Sequence, residues 1–209
     1  MEQIYTIGHS THEIDYFISL LKNHKINCVC DVRSAPYSKY NSQFNKDKLL
    51  RKLNEHQIYY IPMGDELGAR YTNRELFDSD GIVDFAKIRK TDKFKDGLKR
   101  LAQGVARGFN IALMCSEKEP ADCHRSILVS YSVKKMDYKI NHILADGNIK
   151  SHDKLEEEIS SEYKKQWLQG SLFNKKNSDH SLLEFAYKCK NKEIGYSKDI
   201  KSKKELLEA

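Results

Sequence analysis

Phe109-Asn110-Ile111-Ala112-Leu113-Met114-Cys115-Ser116-Glu117-Lys118-Glu119-Pro120-Ala121-Asp122-Cys123-His124-Arg125 is the stretch on which the reading of this chain turns. The apolar run Ile111 to Met114 has the length and flanks of a buried strand, and apolar residues recur at helical spacing beyond Pro120. Cys115 then stands at the carboxyl end of a strand, with Cys123, His124 and Arg125 in or just after the first turn of the next helix. A helix start leaves N–H groups unpaired and carries a positive dipole end, so it favours anions and thiolates. Beside Arg125 and His124, the Cys115 thiol is expected to ionise more readily than a free one. The competing reading is that two cysteines flanking a turn are small core residues.

Working outward, strands and helices alternate on both sides. Ile4-Tyr5-Thr6-Ile7 reads as a strand ending at Gly8-His9, and Ser10-Thr11-His12-Glu13 reads as a capping box before a helix carrying Ile14, Phe17, Ile18 and Leu21 inward. Ile26 to Cys30 is a second strand followed by Asp31-Val32-Arg33, with Cys28 and Cys30 as core residues. The loop from Ser34 to Asn45 interleaves Tyr37, Tyr40 and Phe44 with Lys39, a pattern that stacks on bases or packs on itself. A helix with Leu49, Leu50 and Leu53 leads to the strand Ile58 to Ile61. The polar loop Met63 to Gly81, holding Gly68, Arg70 and Arg74, is longer than a connection needs and is expected to wall a site. A helix from Phe94 to Val105 ends near Gly108, and Tyr138 to Leu144 is a fifth strand bearing His142. The pattern predicts an α/β fold: a Rossmann-like three-layer sandwich with a mainly parallel five-stranded sheet over residues 1–147, plus a C-terminal helical extension over 148–209. Within the extension, a helix from Leu155 to Trp167 is expected to precede a loosely held tail.

Composition bounds the function. The 209 residues have a mean hydropathy of -0.70 and a formal charge of +6. Residues 1–150 carry 24 Lys and Arg against 19 Asp and Glu, so the excess sits in the sheet domain. That admits an anionic small molecule, a nucleotide or a nucleic acid as partner without supplying a dense basic stripe. No apolar run approaches the roughly 20 residues of a membrane span, and Met1 to Tyr5 lacks a signal peptide's regions, so a cytoplasmic location without membrane partners is expected. Five cysteines, an odd count, suit a reducing compartment. Oligomeric state is not legible.

Ligands of open parallel sheets bind at the carboxyl ends of the strands, where strand order reverses. With the order 3-2-1-4-5, His9 would face Cys115, Cys123, His124 and Arg125 across the crevice. Gly8-His9-Ser10, Asp31-Val32-Arg33 with Pro36 and Ser38, Leu67-Gly68, Cys115-x-Glu117 with Cys123-His124-Arg125, and His142-Ile143 together resemble the domain of unknown function 488 family, over roughly residues 3 to 145. The resemblance implies a compact α/β fold and these site residues, and supplies no reaction.

The residues themselves point to an enzyme, a hydrolase or transferase, on a phosphate-bearing or nucleotide-like substrate. His9, Asp31, Cys115, Glu117 and His124 are the candidate catalytic residues; Ser10, Arg33, Tyr37, Arg125 and His142 are the candidate substrate-binding ones. The Cys-x5-Arg spacing of cysteine phosphatases is absent, since Arg125 lies ten residues after Cys115. No cofactor follows from the sequence. One alternative is a nucleic-acid-binding or repair-associated module. Another is a zinc site from Cys115, Cys123, His124 and His9, whose types suit zinc although Cys-x7-Cys-His is not a recognised finger spacing. A purely structural reading pairs Arg33 and Arg125 with Asp31 and Glu117 in a buried network.

Overall fold

The computed structural model describes residues 2–173 and 181–197. β1 (Gln3–Gly8) leads to α1 (Ile14–Asn23), and β2 (Cys28–Asp31) leads to α2 (Lys46–Glu55). β3 (Tyr59–Pro62) is followed by α3 (Gly64–Leu67), α4 (Phe85–Ile88) and α5 (Asp92–Ala106). β4 (Ile111–Cys115) passes through a 3-10 turn (Pro120–Asp122) and a π-helix (Arg125–Ser130) into α6 (Tyr131–Lys134). β5 (Lys139–Ile143), β6 (Ile149–Ser151), α7 (His152–Phe173) and α8 (Leu182–Ile194) follow.

The fold is the expected Rossmann-like α/β sandwich, with two differences in its sheet. Among the described residues the sheet has six strands in the order β3-β2-β4-β1-β5-β6, so β4 lies between β2 and β1 rather than beyond β1. The first five are parallel, and β6 runs antiparallel to β5. All five residues of β4 are buried, as suits a central strand of a doubly covered sheet. β6 has only three residues, too few to carry a period-two signal. It forms because the chain reverses at Gly147, whose φ of 86° an L side chain rarely adopts.

Alternation along each strand sends side chains to two cores. Ile7, Val29, Ala112 and Met114 pack with Phe17, Leu21, Phe44, Leu49 and Leu53 on the α1/α2 face. Ile4, Cys28, Cys30, Leu113 and Cys115 pack with Phe94, Leu101, Ile127, Ile159 and Tyr187 on the face covered by α5, α6, α7 and α8. Cys28 and Cys30 are buried core residues as expected, and all five cysteines are free.

Three local expectations are corrected. The capping box does not form: Ser10 adopts φ 48° and gives its N–H to the Ser116 carbonyl, so α1 starts at Ile14 with no side-chain cap. The helix after β4 does not run on from Pro120, because Cys123 is extended (φ -135°, ψ 138°) and helical structure resumes only at Arg125. The loosely held tail expected from Gly170 contains α8, capped by Ser181 and burying Ala186, Tyr187 and Lys190; the parts of that expectation on 174–180 and 198–209 lie outside the described residues. Among those residues, no helix is long and apolar enough to cross a membrane.

Candidate functional site

The carboxyl ends of β1, β2 and β4 carry two polar networks, one on each side of the sheet. On the α1/α2 side Asp31 holds Arg33 with both carboxylate oxygens: Arg33 Nε donates to Oδ1 at 2.9 Å and Nη2 to Oδ2 at 2.6 Å. Oδ1 also accepts from the Arg33 amide at 3.0 Å and Oδ2 from the Tyr60 hydroxyl at 2.7 Å. Asp31 is 2% exposed, and with this many donors it serves as a fixed counter-charge. The remaining Arg33 bonds run from Nη2 to the Phe44 carbonyl and from Nη1 to His9 Nε2 at 3.1 Å.

His9 is oriented from both ends. Its Nδ1 donates to the Ser10 carbonyl at 2.8 Å, which leaves Nε2 as the acceptor facing Arg33. The ring stacks on Phe44 at 4.3 Å between centroids. Burial lowers its pKa to about 4, with Arg33 pushing the same way, so at neutral pH His9 is an uncharged support for Arg33.

The second network lies on the other side, where Cys115 points. Cys115 Sγ donates to Glu117 Oε2 at 2.9 Å and lies 3.6 Å from His124 Nδ1. Cys123 Sγ lies 3.3 Å from the same oxygen and 4.0 Å from the same nitrogen. His124 Nε2 sits 2.9 Å from the Val32 carbonyl, an acceptor only, so this nitrogen carries the proton and Nδ1 faces the sulfurs. The thiolate expected at Cys115 is favoured at Cys123 instead. Burial, then Cys123 and Glu117, push the Cys115 thiol up. At Cys123 burial acts the same way but is outweighed by the hydrogen bond from Cys115, with Arg125 and His124 adding to it. His124 is raised in turn, as the facing Cys123 outweighs the effect of burial.

Arg125 is fully buried and does not line a cavity. Its Nη1 and Nη2 donate to the Glu117 and Lys118 carbonyls at 2.7 and 3.0 Å, so it pins the turn after β4 and makes no ion pair with the Glu117 carboxylate. Gly8 completes that arrangement: a Cβ there would lie 1.9 Å from the Glu117 carbonyl oxygen, and only glycine lets β1 pass so close.

A cavity of about 190 Å³ opens above the second network, between the ends of β2 and β4. Cys115, Glu117 and His124 line it with Arg33, Ser34 and Arg70. Of the expected site residues, the structure therefore brings Arg33, Cys115, Glu117 and His124 to one cavity, with His9 and Asp31 supporting Arg33 from behind. Ser10, Tyr37, Arg125 and His142 do not line it. Tyr37 is exposed on its loop, and His142 is buried between Thr6 and His152. Sequence reading passed over Ser34, and over Tyr60 as the partner of Asp31; Arg70 lies in the long loop it expected to wall the site. Tyr196, which also lines the cavity and stacks under Arg70 at 5.7 Å, comes from beyond α8 and had no local signal.

The zinc alternative splits on geometry. Among the described residues, the donor atoms of Cys115, Cys123 and His124 lie within 4.8 Å of one another, whereas His9 is turned to Arg33 and is not part of the group.

Comparison with known proteins returns no curated protein and no solved structure that matches. The family model described as "Domain of unknown function DUF488" matches residues 13–132, more than half of the chain and the span that contains β2 to β4 and both networks apart from His9 and Ser10. With its Asp31-Val32-Arg33 and Cys115-x-Glu117…Cys123-His124-Arg125 residues set at the carboxyl edge of a parallel sheet, the chain belongs to the family of the domain of unknown function DUF488.

Proposed function

We propose that the protein is an enzyme, a hydrolase or transferase, that works on a small phosphate-bearing or nucleotide-like substrate in the cavity between β2 and β4. The observation that carries this reading is the convergence of Cys115, Glu117 and His124 with Arg33 and Arg70 on one opening at the carboxyl ends of the strands. Glu117 and His124 are groups that accept a proton, Cys115 and Cys123 are nucleophilic atoms, and Arg70 with the remaining Nη1 hydrogen of Arg33 supplies donors for an anion. The cavity is smaller than the roughly 300–1,000 Å³ of drug-sized ligand sites, so it suits a phosphate group or the reactive end of a larger molecule. Its tests are a thermal-shift titration with inorganic phosphate and nucleoside monophosphates, and turnover of a panel of phosphate esters. Stabilisation lost in Arg70→Ala, with turnover lost in a folded Glu117→Gln, is the expected result. A panel that neither stabilises the protein nor turns over would refute the assignment.

Tyr37 and Tyr40 favour a second reading, since they are 59% and 86% exposed on either side of Lys39. Exposed rings beside a cation suit stacking on single-stranded nucleic acid, and such binding weakens steeply with salt. Fluorescence anisotropy with short oligonucleotides at low salt decides it, and no binding there removes it.

A further inference from the structure

Arg125 lies beneath the turn that carries the cysteine and histidine cluster. Its side chain is fully buried and its Nε has no hydrogen-bond partner. Among the described residues no carboxylate lies within ion-pairing distance of its guanidinium, whose hydrogen bonds go to the two carbonyls of the turn. That turn presents the Glu117 carboxylate, one oxygen of which stands 2.9 Å from the Cys115 sulfur and 3.3 Å from the Cys123 sulfur.

We propose that Cys115, Cys123 and His124 form a three-ligand binding site for a thiophilic divalent cation of the zinc class, with its fourth position open to the cavity. The donor spacing agrees. With metal–sulfur and metal–nitrogen bonds of about 2.3 and 2.0–2.1 Å, a tetrahedral angle places sulfur and nitrogen about 3.6 Å apart. The two sulfurs stand 3.6 and 4.0 Å from His124 Nδ1. His124 is held as metal-binding histidines are, with its other ring nitrogen donating to a carbonyl, here that of Val32. Binding exchanges the thiol protons of Cys115 and Cys123 for the cation, and both protons leave to solvent.

Cys115, Glu117 and His124 line the cavity, so a substrate oxygen entering it would meet the cation, which polarises such an oxygen as a Lewis acid. In that respect the proposal deepens the catalytic reading of the same cavity and rests on it. Metal content, however, is measured without turnover, so either statement can fail while the other stands.

The test uses the full chain purified without an affinity tag or chelator. Elemental analysis is expected to find close to one equivalent of zinc. The metal-stripped chain is expected to take up one cobalt(II) with thiolate-to-metal absorption in the near ultraviolet. That absorption is expected to persist in the triple variant Cys28→Ala, Cys30→Ala, Cys189→Ala, where only Cys115 and Cys123 remain, and to vanish in Cys123→Ser and His124→Ala. Should those last two fail to fold, the triple variant decides alone. Zinc below about a tenth of an equivalent together with no thiolate–cobalt absorption, absorption lost in the triple variant, or metal undiminished in a folded Cys123→Ser would overturn the proposal.

Discussion

A chain of buried side chains ties the C-terminal helices to the sheet, and its direction can be tested. Thr6 Oγ1 lies 2.7 Å from His142 Nδ1, His142 Nε2 lies 2.9 Å from His152 Nδ1, and His152 Nε2 lies 2.9 Å from the Tyr187 hydroxyl, which donates to Glu156 Oε1 at 2.8 Å. The Tyr187 hydroxyl has one hydrogen, and the carboxylate takes it. His152 Nε2 must then donate to Tyr187, His142 Nε2 to His152, and the Thr6 hydroxyl to His142. Both rings are neutral in that arrangement. Their pKa values agree, since burial lowers His152 to about 4 and His142 well below its ordinary value. Tyr187→Phe deletes the hydroxyl on which the direction depends. It removes two hydrogen bonds and leaves a buried His152 N–H without a partner, a loss of about 2–3 kcal/mol at neutral pH by urea denaturation.

The pH profile carries a second signature. His152 has a folded pKa of about 4 against 6.5 when unfolded, so the unfolded state binds the extra proton and stability falls as pH drops from 6.5 toward 4. By about pH 5.5 this one group costs the wild type about 1.4 kcal/mol. In Tyr187→Phe the bare N–H has Glu156 Oε1 at 3.7 Å to turn to, from its own helix, against the opposing Lys134 of α6 and beside Asp153. That pairing favours the charged ring, so the gap between variant and wild type should narrow on acidification. Parallel profiles, or a difference below about 0.5 kcal/mol at neutral pH against the 2–3 expected, would show that the hydrogens run otherwise.

The remaining predictions concern the strand ends. Gly8→Ala forces a Cβ into a backbone carbonyl that no rotamer change relieves, and should cost about 3 kcal/mol or prevent folding, read by urea midpoint and soluble yield. Asp31→Ala leaves the Arg33 charge buried without its partner and should cost about 3–5 kcal/mol by the same assay. Arg125→Met unpairs the Glu117 and Lys118 carbonyls, so it should lower stability by about 2 kcal/mol. Were Arg125 instead a ligand-binding side chain, the unliganded variant would melt like the wild type.

Much of this was legible because helices and strands announce themselves by period. Phe17, Ile18 and Leu21 at helical spacing, and Ile111 to Met114 as an unbroken apolar run, are the α1 stripe and the central strand that the structure contains. The carboxyl-edge location of Arg33, Cys115, Glu117 and His124 followed from the alternation of elements, and it needed no knowledge of strand order. What lay outside reach were the features that depend on order and contact. Ser10-x-x-Glu13 matches a capping box, yet β4 lies beside β1 and its following turn takes the Ser10 N–H at 2.9 Å, so the local motif yields to a non-local bond.

The two arginines show why residue type and spacing stop short of role. Arg33 and Arg125 each follow a strand that ends in a carboxylate-bearing motif, and the sequence treats them alike as anion donors. Their surroundings separate them. Arg33 leaves β2 beside Phe44 and His9, meets Asp31 two residues away, and keeps an edge on the cavity. Arg125 enters a π-helix, whose wider turn is common at functional sites, and its guanidinium lies beneath the loop from Glu117 to Lys118. From there it cannot touch a substrate in the cavity, but it acts on everything that does: it holds the turn that presents Glu117 and helps to favour the Cys123 thiolate. The residue that looked most like a ligand clamp is thus the one that sets the electrostatics of the cysteine and histidine cluster.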